Sequence, residues 1–494
     1  MATESRTFRG TPESAALMQP WVAPSPANRG GIFLGVNLRT RKPEYFDPWQ
    51  LKMDGTISST QFAVYGDKGG GKTTFQKAMA IRGQSLQAGM INGVPDSIRT
   101  RINDRKPEDG RPEYEAITEF LHSLTIRLNQ QASINVFDPK MNMTEFDLNE
   151  TTVNICEQIS GAKLIRFQPL AIQVGIHRML QLMPDKASPE MLEYILRYLN
   201  AADLQDYFDS ISSGLDEQYE AAIAERGDTL PAESRPVRRE HNIPFEVFQH
   251  DAALVSSYLG RLLRGDYGGI IGGTGSLRDA LSQPMVTFDW SGVNEQARTL
   301  LMSMFWKWQT VALNNNDLSL IPHLDFSDEE ADALTNLMYV RFQAAFVKKA
   351  RAFHTASFRA VQYRRDIARA GADGSEIRAL CEGILLGMGA EFYFRQPEDD
   401  NVLDDMVKRG ISEQDARYLT NINLPPGVVG VKYPNRPFEL IQILIGPTEM
   451  ELVKTNAAAE RMANRQPVHT MAVIKDRQAR LQALASVMPP IEQE

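Results

Sequence analysis

Eight consecutive residues, Gly66-Asp67-Lys68-Gly69-Gly70-Gly71-Lys72-Thr73, have the types and spacing of a phosphate-binding loop, G-x-x-x-x-G-K-[ST]. Glycines at 66, 69, 70 and 71 let backbone N–H groups turn inward around an anion, and the first turn of a following helix adds its own N–H groups. Lys72 then reaches the terminal phosphates, and the Thr73 hydroxyl can ligate the magnesium ion that travels with a nucleoside triphosphate. Asp67, Lys68 and Thr74 complete the set expected to line a bound ATP. The flanks agree, because residues 62–65 form a short apolar run that reads as strand and residues 73–80 read as helix. Nothing in the sequence reads the base, so ATP and GTP are not distinguished.

Hydrolysis at such a loop needs a carboxylate at a strand end to hold the metal and a second group to activate water. Asp138, Asp289 and Asp328 follow apolar runs, and only Asp328 is followed by another acid, Glu329. The pair divides the two jobs, Asp328 on Mg2+ and Glu329 on the water. Asp325 competes with Asp328 for the metal, and a plainer reading has Asp328-Glu329-Glu330 supplying charge to the N-terminus of the next helix. Asp138 and Asp289 read as strand-end caps. Between 341 and 369 eight basic residues face one acid, Asp366. That stretch reads either as a solvated helix face or as a surface for nucleic acid or a neighbour's phosphate. Within it Ser357 is a candidate sensor of the terminal phosphate and Arg359 a candidate arginine finger. Arg395 is a second finger candidate, with an edge-of-strand ion pair as its plainer role.

The elements that must position these residues can be read coarsely. The chain has 494 residues, 43% of them hydrophobic, enough for two to four structural units with real cores. Lys and Arg number 53 against 62 Asp and Glu, a net charge of −9, so any nucleic-acid surface is local. Two distant cysteines exclude a disulfide framework or cysteine zinc site. No run of 18 uncharged apolar residues appears, which predicts a cytoplasmic chain without a membrane span. Residues 1–55, rich in proline, read as an extended N-terminal arm. Further strands are expected at 134–137, 285–289, 318–326, 352–357, 391–394, 427–431 and 440–445, with helices at 114–128, 294–313 and 329–350 between them. This is an α/β fold with a mainly parallel sheet. Residues 145–283 read as a mainly helical insertion, with Ser188 capping a helix that starts at Pro189. The core is then 56–144 with 284–455, and 456–494 form a helical tail.

The order of motifs resembles a known family. The phosphate loop, Asn135-Val136-Phe137-Asp138-Pro139, Thr287-Phe288-Asp289-Trp290, Asp328-Glu329-Glu330, Ser357-Phe358-Arg359 and Phe394-Arg395-Gln396-Pro397 follow the pattern of the conjugative ATPases of type IV secretion systems, within the FtsK/HerA-like class of P-loop motors. The resemblance covers roughly residues 55–456. It implies a RecA-like core, ATP hydrolysis in a ring, the hexamer being the family form, and a role in energising DNA transfer or channel assembly. It also implies partners: further copies of the chain, DNA, and conjugation-channel or mobile-element proteins that hold it at the inner face of the cell membrane. On that pattern Asp328 and Glu329 are the Walker B pair, Ser357 is the sensor, and Arg359 or Arg395 acts across the subunit boundary. Two other readings share the loop: a nucleotide-switched assembly protein of a phage or mobile element, and a packaging or segregation translocase.

Overall fold

The computed structural model describes residues 31–453 apart from 86–97, 105–106, 109–110, 122, 129–134, 139–142, 227–242, 265–270, 272–279, 281–282, 294, 315–320, 329–330, 350–353 and 369. The expected tail at 456–494, the first thirty residues of the expected arm, and Glu329 therefore lie outside the described residues.

Eleven strands form one sheet. In chain order they are β1 (Ile32–Asn37), β2 (Pro43–Phe46), β3 (Gln61–Tyr65), β4 (Arg99–Asp104), β5 (Leu124–Arg127), β6 (Met285–Asp289), β7 (His323–Ser327), β8 (Thr355–Val361), β9 (Ala390–Tyr393), β10 (Val428–Lys432) and β11 (Glu439–Ile443). Across the sheet the order is β2-β1-β11-β10-β9-β3-β8-β7-β4-β6-β5. The strands from β9 to β5 run parallel. The other four join antiparallel at one side. The helices are α1 (Pro48–Met53), α2 (Lys72–Ser85), α3 (Glu115–Phe120), α4 (Glu145–Ser160), α5 (Gln168–Leu182), α6 (Pro189–Tyr198), α7 (Ala201–Arg226), α8 (Phe245–Arg264), α9 (Glu295–Asn314), α10 (Leu337–Lys349), α11 (Arg364–Ala368), α12 (Glu376–Leu386), α13 (Asp400–Lys408), α14 (Glu413–Leu419) and α15 (Pro447–Val453).

The inner parallel strands are covered on both faces, so they are buried throughout rather than exposed at alternate residues. Every residue of β3 is buried. Phe62 and Val64 enter one core with Phe326, Phe358 and the α2 residues Ala78, Met79 and Ile81. Ala63 and Tyr65 enter a second core with residues of α9, α10 and α12. On the α2 face a row of rings crosses the sheet, with Phe62 and Phe326 each about one ring contact from Phe358, at 4.9 and 5.1 Å between centroids. The α2 helix, which starts at Lys72, is thereby fixed over β3 and its neighbours. Helices α4 to α8 lie between β5 and β6 in the chain. Their ends are set by local chemistry: Thr144 and Asp147 form a reciprocal capping box on α4, Gly161 closes it at φ 74°, and Ser188 accepts from the Met191 N–H at the start of α6.

Three expectations about elements are corrected. Residues 32–53 are not an extended arm but two strands of the sheet and a helix. The prolines that suggest an arm are compatible with this, since Pro43 opens the edge strand β2 and Pro48 is the first residue of α1, where no N–H is needed. Asp47 caps that helix by accepting from the Trp49 and Gln50 N–H groups. The apolar run ending at Phe137 is not a strand where it is described. Asn135 to Asp138 form a turn, closed by the Asp138 N–H on the Asn135 carbonyl at 3.2 Å and the Phe137 N–H on Asn135 Oδ1 at 2.9 Å. The strand beside β7 is the polar segment β4 instead, and the helix expected over 114–128 is the shorter α3 followed by β5.

Candidate functional site

The loop after β3 is held between the segments that leave the two flanking strands. The Gly66 N–H donates to the Gln362 carbonyl at the end of β8 (3.0 Å), and the Asp67 N–H donates to the Arg395 carbonyl beyond β9 (2.8 Å). The Gly70 N–H returns to the Asp67 carbonyl at 2.9 Å, closing a turn. Gly69 and Gly71 have φ of 74° and 103°, the left-handed region that a side chain resists. Gly66 is required for a different reason: a Cβ there would stand 2.8 Å from the Phe394 Cβ. Lys72 is buried, and its Nζ donates to the carbonyls of Gly66 (2.6 Å) and Asp67 (3.2 Å), so its charge lies inside the loop. Lys68 and Gly69 are exposed at the tip, and Thr74 is half-buried in the first turn of α2.

The Thr73 hydroxyl donates to Asp328 Oδ2 at 2.7 Å. Asp328 is the first residue beyond β7, so the loop and the end of that strand meet although β8 lies between β3 and β7. Asp325 is elsewhere. It sits in the middle of β7, fully buried, and Ser357 Oγ donates to its Oδ2 at 3.2 Å. Across the sheet Arg101, Asp325, Ser357 and Gln61 share one register, a polar row on the face away from α2. Burial lowers Arg101 from its usual value to about 10 against an opposing pull from Asp325, and burial, then the Arg101 charge, drives His323 on β7 well below the usual histidine range.

The same registers correct two expected roles. Ser357 pairs with Gln61, five residues before Gly66, so it lies about 16 Å along the strand from the loop. The apolar run ends there, but the strand continues to Val361. Arg359 is 2% exposed, stacks on the Trp306 ring at 4.8 Å, and has Nη2 3.5 Å from Gln61 Oε1. A guanidinium enclosed by its own fold does not reach a neighbouring subunit. Arg395 does stand at the loop, half-buried, with its carbonyl on Asp67 of the same chain. No carboxylate pairs with it among the described residues. The basic stretch is dispersed: Arg341 pairs with Glu376, Arg364 with Asp405, and Arg365 with Asp399. Asp289 accepts from the Ser291 N–H at 2.9 Å as a strand-end cap, with Arg127 at 3.6 Å.

Several residues at the site carry no sequence signal of their own. Gln76, one turn into α2 and fully buried, has Nε2 3.2 Å from the Ser327 carbonyl and 3.4 Å from the Phe358 carbonyl, and it accepts from the Tyr114 hydroxyl at 3.2 Å. It ties the helix bearing Lys72 and Thr73 to the strand bearing Asp328. Tyr114 is pushed up by burial and then by the Asp328 charge, which keeps it a phenol that donates. Gln362 is exposed at the end of β8, and the Tyr363 hydroxyl lies 3.4 Å from Asp67 Oδ1. Only their position after an apolar strand, three and four residues beyond Arg359, could have singled out the last two.

No protein-family model matches the chain, and no curated protein matches it in sequence. Solved structures do match in fold. VirB4 of Thermoanaerobacter pseudethanolicus aligns over 86% of this chain and 100% of its own, with a TM-score of 0.55 and 16% identity. The plasmid coupling protein TrwB in complex with ADP and Mg2+ aligns over 84% of this chain and 90% of its own, with a TM-score of 0.50 and 13% identity. The chain has the α/β, RecA-like fold of these P-loop proteins.

Proposed function

We propose that the chain is a Mg2+-dependent ATPase, a ring motor of the conjugative type IV secretion kind that energises DNA transfer or channel assembly. The observation that carries the reading is the 2.7 Å bond from Thr73 to Asp328, which brings a phosphate loop and a strand-end carboxylate into the arrangement that nucleotide hydrolysis needs. The fold shared with VirB4, and with a TrwB bound to ADP and Mg2+, supports the ligands and the class. The donors at this point are a hydroxyl and a carboxylate, both oxygen, which suits a hard cation such as Mg2+. When bound, the ion would neutralise charge on the phosphates. The N–H groups of Gly69, Gly71, Lys72 and Thr73 and the Lys72 ammonium hold the same phosphates from the other side. Lys72 is pre-positioned for this by two carbonyls, so a phosphate oxygen replaces neutral acceptors with a charged one. Glu329, next to Asp328 in the chain, acts as the base for the attacking water. Arg395 stabilises developing charge on the nucleotide held in its own loop rather than on a neighbour's.

Further copies of the chain in a hexameric ring, DNA, and conjugation-channel proteins are the partners this reading assigns. Among the described residues no helix is long and apolar enough to cross a membrane, so contact with an inner membrane face runs through those partners. The test is ATP turnover at rising protein concentration, with and without single- and double-stranded DNA, in wild type, Lys72→Ala and Glu329→Gln. Turnover that rises with concentration and with DNA, and is lost in both variants while Glu329→Gln still binds ATP, is expected. Bound ATP without turnover under any condition would replace the motor by a nucleotide-switched assembly protein.

A further inference from the structure

A pocket of about 210 Å3 lies between α11 and α13, at the ends of the two strands that flank β3. Ligands of open α/β sheets sit outside the carboxyl ends of the strands, and this pocket is at that edge on the side away from α2. It is joined to the phosphate loop at two points. Tyr363, on its wall, has its hydroxyl 3.4 Å from Asp67 Oδ1, and Gln396 follows Arg395, whose carbonyl holds the Asp67 N–H. A molecule anchored in the loop can therefore extend into it.

The lining matches a nucleoside more closely than a second phosphate. Tyr363 carries the Arg365 guanidinium 5.0 Å from its ring centroid, a pair of planar groups of the kind that hold a base by stacking. Gln396 is buried, and its Nε2 is committed to the Phe394 carbonyl at 2.9 Å. Its Oε1 is left as the end that a ligand can use, and it can only accept. The carboxylates of Asp404 and Asp405 also line the pocket; Asp405 is already engaged by Arg364 at 3.3 Å, and Asp404 has the chemistry to accept from ribose hydroxyls. Arg364 and Arg365 in the same lining are held by Asp405 and Asp399, with Lys408 at the rim, so the acceptors left for a ligand are Gln396 Oε1 and Asp404, which suit an amino group and hydroxyls.

We propose that this pocket receives the nucleoside half of the nucleotide, with the base on Tyr363 and an exocyclic amino group on Gln396 Oε1. The inference rests on the phosphate-loop reading and adds the part that selects among nucleotides. Adenine presents an amine where hypoxanthine presents a keto oxygen, and an acceptor facing a keto oxygen repels it, so ATP is preferred to ITP.

Equilibrium binding of ATP, ITP and inorganic tripolyphosphate by calorimetry tests it, in wild type, Tyr363→Ala, Tyr363→Phe, Gln396→Met and Lys72→Ala. Tyr363→Ala should weaken ATP about tenfold and leave tripolyphosphate unchanged, which also shows that the variant is folded. Tyr363→Phe, which keeps the ring, should bind ATP like wild type. Gln396→Met should reduce an ATP-over-ITP preference of about fivefold to near unity, and Lys72→Ala should weaken all three ligands. If the pocket variants bind ATP, ITP and tripolyphosphate in wild-type ratios while Lys72→Ala does not, the pocket assignment is overturned and the loop reading stands. If wild type binds neither ATP nor tripolyphosphate, both are overturned.

Discussion

Removing the carboxylate of Glu449 should loosen the helix that carries Lys72, and the structure sets the size of the effect. Arg82, in the last turn of α2, is enclosed by the fold; its Nε and Nη2 each donate to a different Glu449 oxygen at 2.8 Å. The two side chains are each 6% exposed. Nη1 also donates to the Phe33 carbonyl at 2.6 Å, and Nη2 to the Leu444 carbonyl. One guanidinium thus joins α2, β1, the end of β11 and α15. Losing one member of a buried pair costs about 3–5 kcal/mol because the other charge stays buried. The carbonyls that remain on Arg82 place Glu449→Ala at the lower end, about 3 kcal/mol, against a total of roughly 5–15 for a folded chain. Urea unfolding followed by tryptophan fluorescence measures it, with Arg82→Met/Glu449→Met as companion. The double variant should lose at least about 1 kcal/mol less than the sum of the single losses, since it leaves no buried charge. A loss under about 1 kcal/mol for Glu449→Ala, or strict additivity, would show that the pair is not the clamp its geometry describes.

Arg359→Ala should lower stability by about 2 kcal/mol through the lost stack on Trp306, and the folded variant should keep its ATP turnover. Turnover that is lost in the variant alone and restored by mixing with Lys72→Ala subunits would return Arg359 to the finger role. Gly66→Ala, with its Cβ against Phe394, should abolish ATP binding, whereas Gly69→Ala, with open space around its Cβ, meets only the cost of its φ of 74°, about 1–2 kcal/mol; equal binding by the two would refute the close-approach argument. His323 has a folded value well below 6.5, so the unfolded chain binds the extra proton first and stability falls as pH drops below about 6.5. Between pH 6 and 5 wild type should lose up to about 1.4 kcal/mol per unit more than His323→Asn, and parallel unfolding profiles would contradict the assignment.

The phosphate loop was legible because its chemistry is local: eight adjacent residues, a strand before and a helix after. Strands such as β6 and β9 were legible because both faces are covered and apolar residues stand side by side, Met-Val in the one and Phe-Tyr in the other. The same criterion hides β4. Its sequence, Arg-Thr-Arg-Ile-Asn-Asp, is polar, yet Arg101 and Asn103 are buried on the face away from α2. Ser357 and Arg359 were misplaced for the same reason. A polar row buried in a sheet looks like a strand end when only hydropathy is read, and the error is one of register rather than of residue type. The choice between Asp325 and Asp328 was likewise open, because β7 alternates enough polar residues that its last position is not visible. Hydrogen bonding to both neighbours fixes where β7 ends, with Asp325 inside it and Asp328 just beyond it, and those neighbours are far away in sequence.

The intervening strand explains why the site is arranged as it is. With β8 between them, the ends of β3 and β7 stand two strand spacings apart, about 10 Å. Thr73 nevertheless bonds to Asp328, so the loop and the first turn of α2 must lean across the end of β8. Three contacts show that they do: the Gly66 N–H on the Gln362 carbonyl, and Gln76 on the carbonyls of both Ser327 and Phe358. An anion held by Lys72 and Thr73 then lies over the carboxyl end of β8, not beside its middle. The residue the topology puts there is Gln362, and on the ATPase reading a side chain that responds to the terminal phosphate belongs at that position, five residues past Ser357, the one that hydropathy selects.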